Sequence, residues 1–173
     1  MADNNLRRRP AAGEPAPGFA ARNQFGETVE LSELRGARGV VLMFYPFAFS
    51  RVCGSELAEI RDRWAEFGEL GVRLLAISCD SVHTLRAYAE ELARQGGPDS
   101  GAVPVEFDLL SDYWPHGQIA RSYGAFNEDL GCPTRDTFVL DGQLNVRAVV
   151  SAAHTQSRDI QELLAGLQLV ARE

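Results

Sequence analysis

Residues 46–53 read Pro46-Phe47-Ala48-Phe49-Ser50-Arg51-Val52-Cys53, directly behind the apolar run Val40-Val41-Leu42-Met43-Phe44-Tyr45. The run is short, continuous and rich in β-branched and aromatic residues, which is the pattern of a buried strand. Pro46 has no N–H for a sheet ladder and stops that strand. Beyond it, Leu57, Ile60, Trp64, Phe67 and Leu70 recur at three- and four-residue spacing and form one apolar helical stripe. Glu56, Glu59, Arg63 and Glu66 fall on the side predicted to face water, and Gly68 and Gly71 mark the helix end. Cys53 therefore lands in the first turn of a helix. There, unpaired N–H groups and the positive end of the helix dipole favour a thiolate, and a thiolate is a nucleophile.

Strands and helices continue to alternate outward from this junction. Residues 28–31 read as a short first strand and 72–78 as a second central strand. Ser81 can cap a helix running to about residue 94. Residues 95–101 are a Gly-, Pro- and Ser-containing loop, 105–109 a short strand and 115–123 a short helix. Residues 137–140 and 145–150 flank Asp141-Gly142, a hairpin signal. A last helix is predicted over 157–170. This order implies an α/β fold with a central mixed sheet flanked by helices.

The chain has 173 residues, enough for one domain with a sizeable core. Its net charge of −7 argues against general nucleic-acid binding. All its basic side chains except histidine are arginine, with no lysine, which fits a GC-rich coding bias. Arg7-Arg8-Arg9 is not followed by the apolar segment of about 7–15 residues that an export signal needs, so residues 1–12 are predicted to be a disordered tail before a domain at 13–173. No run approaches the roughly 18 apolar residues of a membrane span, and a cytoplasmic protein with reduced cysteines is the expectation. With three cysteines, at least one is unpaired in a single chain.

The spacing Pro46-x-x-x-Ser50-x-x-Cys53 resembles the peroxidatic-cysteine motif of the peroxiredoxins. Gly13-Glu14-Pro15-Ala16-Pro17-Gly18-Phe19 is similar to that family's amino-terminal signature. Leu110 to Gly117, with Trp114-Pro115-His116-Gly117, then Tyr123 to Glu128, with Asn127-Glu128, resemble its central segment. Arg135-Asp136-Thr137-Phe138-Val139-Leu140-Asp141 resembles the strand carrying its active-site arginine. The Trp-Pro-His-Gly and Asn-Glu pieces resemble the AhpE type, one-cysteine alkyl hydroperoxide reductases.

The resemblance implies a thioredoxin-like fold and a peroxidase acting on hydrogen peroxide, organic hydroperoxides and peroxynitrite, with no metal, flavin or nucleotide cofactor. Cys53 would attack the peroxide and become a sulfenic acid. An ordinary thiol, with a pKa of about 8.5, is mostly protonated at neutral pH, so activation needs a nearby positive charge. Arg135, which stays protonated and presents fixed N–H donors, is the candidate. Ser50 would bind the peroxide, where the family more often has threonine, and Pro46 would shield the sulfur from water. Glu56 could orient the arginine or be a solvated helical charge. Outside the resemblance, Ser50 reads equally as a helix cap. His116 reads as structural or interfacial, and His83 and His154 lack metal-ligand spacing.

Cys53-Gly54-Ser55-Glu56 has no second thiol, which excludes dithiol exchange at one helix. Cys79 ends a predicted buried strand and reads as core. Cys132, in the loop before Arg135, is a possible resolving cysteine, provided the two Cα atoms come within about 7 Å. Otherwise an external thiol recycles Cys53. Family and coding bias suggest mycothiol with a mycoredoxin, or a thioredoxin. A homodimer follows from the resemblance, with Trp114 or Phe47 at its interface. Three rivals remain: a peroxide sensor or redox relay, a specialised biosynthetic enzyme on the same scaffold, and a noncatalytic binding module.

Overall fold

A computed structural model describes residues 8–96, 101–154 and 156–170. Its strands are β1 (Ala20–Arg22), β2 (Thr28–Glu30), β3 (Gly39–Phe44), β4 (Val72–Ser78), β5 (Asp108–Ser111), β6 (Phe126–Asn127), β7 (Cys132–Pro133), β8 (Arg135–Leu140) and β9 (Val146–Ala152). Its helices are α1 (Arg51–Asp62), α2 (Trp64–Leu70), α3 (Val82–Arg94), α4 (Gln118–Ser122) and α5 (Ile160–Val170). Seven strands form one sheet in the order β2-β1-β5-β4-β3-β8-β9, and β6 pairs with β7 apart from it. β3, β4 and β5 run parallel, whereas β8 and β9 join antiparallel. This is the mixed α/β sheet of a thioredoxin-like fold.

β3 lies at the centre, and its unbroken apolar run is explained by burial on both faces. Val41, Met43 and Tyr45 join Leu57, Ile60, Phe67, Leu85 and Leu164 on the face covered by α1, α2, α3 and α5. Val40, Leu42 and Phe44 join Tyr123, Phe138 and Leu140 on the other face. Phe44, Tyr123 and Phe138 meet there at centroid separations of 5.1–5.9 Å, within the favourable aromatic range. The period-2 side-chain alternation of one strand thus supplies two cores.

Several boundaries differ from the sequence expectation. β3 ends at Phe44, although Tyr45 N still donates to Ile77 O at 3.0 Å. The apolar stripe continues through two helices, because the backbone turns at Arg63 (φ −104°, ψ 16°). Gly68 sits inside α2, and the stop is Gly71 in the left-handed region (φ 66°). The strand expected at 105–109 is β5, further on. Gln24 takes up the backbone around the start of β5 by donating to Phe107 O and accepting from Leu109 N. The last helix begins at Ile160 because Asp159 Oδ1 takes the N–H groups of Gln161 and Glu162. β1 and the β6–β7 pair are too short to have shown a period.

Residues 1–7 of the expected tail lie outside the described residues. Residues 8–12 are engaged with the domain: Pro10 is buried, and Arg9 Nη2 reaches Asp136 Oδ2 at 2.7 Å. Gly13 N donates to Val146 O, and Val146 N donates to Glu14 O, so this segment runs along the start of β9. Among the described residues no helix is long and apolar enough to cross a membrane.

Candidate active site

The strand-to-helix junction places Cys53 in the first turn of α1. Ser50 is the N-cap, with Oγ accepting from Cys53 N at 3.4 Å and its carbonyl accepting from Gly54 N at 2.8 Å. The connecting loop is tied from beneath. Asp80 Oδ2 accepts from Ala48 N and from Ser78 Oγ, both at 2.8 Å. Phe49 is held in the left-handed region (φ 61°), which is costly for an aromatic residue, and packs on Tyr88 at 4.9 Å between centroids. Pro46 is buried beside this loop.

Arg135, at the first position of β8, directs Nη1 to Cys53 Sγ at 3.1 Å. A fixed guanidinium donor is thus aimed at the sulfur. Cys53 and Arg135 are 1% and 2% exposed, so this contact is shielded from water and little screened. The pair expected from the sequence is therefore in contact, with Ser50 one helical turn away.

Of the two places open to Glu56, a solvated helical position and one that orients the arginine, the fold gives the second. Glu56 is buried, and its Oε2 lies 2.5 Å from Arg135 Nη2. One turn of helix separates it from Cys53, which brings the carboxylate under the same guanidinium. Arg158, absent from the sequence reading, completes the cluster. Its main-chain N donates to Glu56 Oε1, its Nη1 to Glu56 Oε2 at 2.9 Å, and its Nη2 to Phe44 O. Burial pulls the Arg158 pKa down from its ordinary value, and the Glu56 carboxylate opposes that. One carboxylate thus bridges two buried guanidinium groups, and one of these holds the sulfur. Arg158 stands two residues before α5 in a stretch without periodicity, so only the cap of α5 could have hinted that its side chain turns inward.

The other cysteines are chemically quieter. All three are free thiols. Cys79 is pushed up to about 12, first by burial and then by Asp112 and Asp80. Cys132, in β7 and fully buried, is also raised, first by burial and then by the charge on Cys53. His116 bonds Gly131 O at 2.8 Å and packs edge-on to Phe126. No group of three or more His, Cys, Asp or Glu side chains among the described residues could hold a metal ion.

Comparison with known proteins fits this geometry. The AhpC/TSA family matches residues 12–149. The chain is 40% identical over 129 residues to alkyl hydroperoxide reductase E of Mycobacterium tuberculosis, covering 75% of this chain and 77% of that protein. The chain is a peroxiredoxin of the AhpE type. This peroxiredoxin is also 32% identical over 162 residues to peroxiredoxin 2 of Drosophila melanogaster, covering 92% and 80% of the two chains. Its fold matches the crystal structure of the peroxidoxin BcpB from M. tuberculosis with a TM-score of 0.78 and 30% identity, over 93% of this chain and 98% of that one. As a peroxiredoxin it is a thiol-dependent peroxidase, an oxidoreductase that takes a hydroperoxide and a thiol reductant.

Proposed function

We propose that this peroxiredoxin reduces hydrogen peroxide, organic hydroperoxides and peroxynitrite by direct attack of Cys53, and that an external thiol restores it. The observation that carries the reading is the buried contact of Arg135 Nη1 with Cys53 Sγ. The Cys53 thiolate attacks the terminal peroxide oxygen, the O–O bond breaks, and the remaining oxygen departs as hydroxide or alkoxide, leaving a sulfenic acid. Arg135 holds the thiolate and meets the negative charge that develops on the departing oxygen. The Ser50 hydroxyl and the N–H groups of the first turn offer further contacts to the peroxide, and Pro46 keeps water from the sulfur. Glu56 and Arg158 fix the orientation of Arg135.

Burial and the raised pKa of Cys132 make it a poor resolving thiol, which supports recycling by an external thiol. Mycothiol with a mycoredoxin, or a thioredoxin, is the proposed reductant. The assembly is proposed to be a cytoplasmic homodimer. Exposed Trp114 and Phe47 support an interface at that surface. The test is a sulfenic-acid trap such as dimedone, applied after one equivalent of hydrogen peroxide. Label on Cys53, absent in Cys53→Ser and retained in Cys132→Ser, supports the reading; a Cys53–Cys132 disulfide in place of the label contradicts external recycling.

A further inference from the structure

α1 packs between α3 and α5, so Cys53 has two flanks. Arg135 comes from β8, and Arg158 from the segment before α5, on one flank. On the other flank α3 supplies Tyr88, and between α1 and α3 lies a cavity of about 430 Å³. Ser50 and Gly54, which lie on either side of Cys53 in the sequence, both line it, together with Phe49, Ala58 and Tyr88, while the buried Cys53 does not itself line it. Arg51 and Glu91 stand at its wall, a cation and an anion.

Tyr88 is 2% exposed, and its hydroxyl has no hydrogen-bond partner among the described residues. A buried donor without an acceptor is costly, and Tyr88 both packs in the core that holds Cys53 and lines this cavity. Gly54 keeps that space open: a methyl in place of its hydrogen would lie 3.7 Å from Tyr88 Oη. The hydroxyl is close enough to Cys53 for the thiolate charge, after burial, to hold the phenol pKa well above its ordinary value.

We propose that the α1–α3 cavity is the subsite for a small reducing thiol, with the Tyr88 hydroxyl donating to the incoming sulfur. This rests on the peroxidase reading above. Displacement at sulfur requires the entering and leaving atoms in line. The oxygen of the Cys53 sulfenic acid lies toward the Arg135 flank, where negative charge is stabilised, so the thiol enters from the Tyr88 flank. The incoming thiolate forms an S–S bond to Cys53, and the S–O bond breaks. Oxygen leaves as hydroxide beside Arg135 and takes a proton from solvent to become water. Cys53 sulfur is reduced and the incoming sulfur oxidised, one equivalent each, giving a mixed disulfide. Phe49, Ala58 and the Tyr88 ring take the carbon chain of the thiol. Arg51 complements a carboxylate, whereas Glu91 is already paired with Arg94 at 2.9 Å, so a carboxylate-bearing thiol such as cysteine fits the site.

The test measures both half-reactions on the same preparation: oxidation of Cys53 by hydrogen peroxide or by tert-butyl hydroperoxide, and reduction of the sulfenic acid by cysteine or by uncharged 2-mercaptoethanol. In Tyr88→Phe, reduction is expected to slow roughly fivefold relative to oxidation, the worth of one hydrogen bond. In Gly54→Ala, which removes a helix-weakening glycine and is expected to melt no lower than wild type, reduction slows further because the methyl enters the cavity. The cysteine rate should suffer more than the 2-mercaptoethanol rate in Arg51→Ala. Unchanged ratios in both Tyr88→Phe and Gly54→Ala would overturn the subsite. So would an equal slowing of oxidation by tert-butyl hydroperoxide, which would give the cavity to the peroxide instead. If wild type forms no sulfenic acid at all, the peroxidase reading fails first, a result distinguishable from either.

Discussion

Arg158→Met tests the bridge behind the reactive cysteine. The substitution keeps the apolar stem and removes the guanidinium, which is bonded to Glu56 and to Phe44 O at the end of a side chain only 3% exposed. Breaking a buried pair by removing one partner costs about 3–5 kcal/mol, because the remaining charge is left without compensation. Glu56 keeps Arg135 and the Arg158 main-chain N–H, so the lower end, about 3 kcal/mol, applies. For a domain of this size each kcal/mol moves Tm by about 2–4 °C, which gives a fall of roughly 6–12 °C. The assay is urea unfolding and thermal melting of wild type, Arg158→Met, Glu56→Gln and the double variant. The double variant should lose less than the sum of the two singles, since both remove the same bridge. Peroxide oxidation of Cys53 should slow in Arg158→Met, because a Glu56 held from one side only grips Arg135 less firmly. Arg63→Met, which breaks a solvent-exposed pair with Glu66, is the control and should leave Tm nearly unmoved. A melting point for Arg158→Met within 2 °C of wild type, a loss of no more than about 0.5–1 kcal/mol, would show that Arg158 carries no such bridge.

Three further outcomes follow from other parts of the molecule. The Asp112 carboxyl is raised from 3.8 to about 6 by burial, against the pull of the Ala120 and Ile119 N–H groups, so its NMR titration midpoint should lie near 6. The folded state then binds the proton more tightly than the unfolded state, so this group's contribution to stability falls as pH rises from 3.8 to about 6; a midpoint near 4 would contradict it. Gly117→Ala should destabilise by about 2 kcal/mol or more, since Gly117 has φ 68° and a Cβ there would lie 2.3 Å from the Phe126 ring; unchanged urea unfolding would count against that packing. Iodoacetamide at pH 8 on the native protein should label Cys53 ahead of Cys79 and Cys132, whose thiols are raised by burial; peptide mapping that finds Cys79 labelled first would sink that order.

Much of this site was legible because its parts are local. The run at residues 40–45 could only be a strand buried on both faces, Pro46 ended it, and the 57–60–67 spacing forced a helix on which Cys53 falls near the start. Arg135 was visible through the resemblance of its strand, and its contact with the sulfur is a long-range consequence of β8 pairing beside β3. Helical periodicity alone puts the charged Glu56 opposite the apolar stripe and so favours the wet side, although the arginine-orienting role stays open beside it. Two guanidinium groups from β8 and from before α5 reverse that choice, and no local pattern records them. Arg158 was invisible for the same reason. The cavity beside Tyr88 depends on how α1 and α3 pack, which neither helix encodes alone. The short β1, β6 and β7 carry too few residues for alternation to show.

Cys53, held by Arg135, is proposed as the peroxide-reducing nucleophile. The most direct test is rapid-mixing oxidation of the reduced protein by hydrogen peroxide, with the product weighed by mass spectrometry, in wild type, Cys53→Ser and Arg135→Met. Wild type should oxidise fast and gain one oxygen on the Cys53 peptide, Cys53→Ser should show no such step, and Arg135→Met should react more slowly by orders of magnitude. Wild-type oxidation no faster than that of a free thiol, with Cys53 unmodified, would contradict that role.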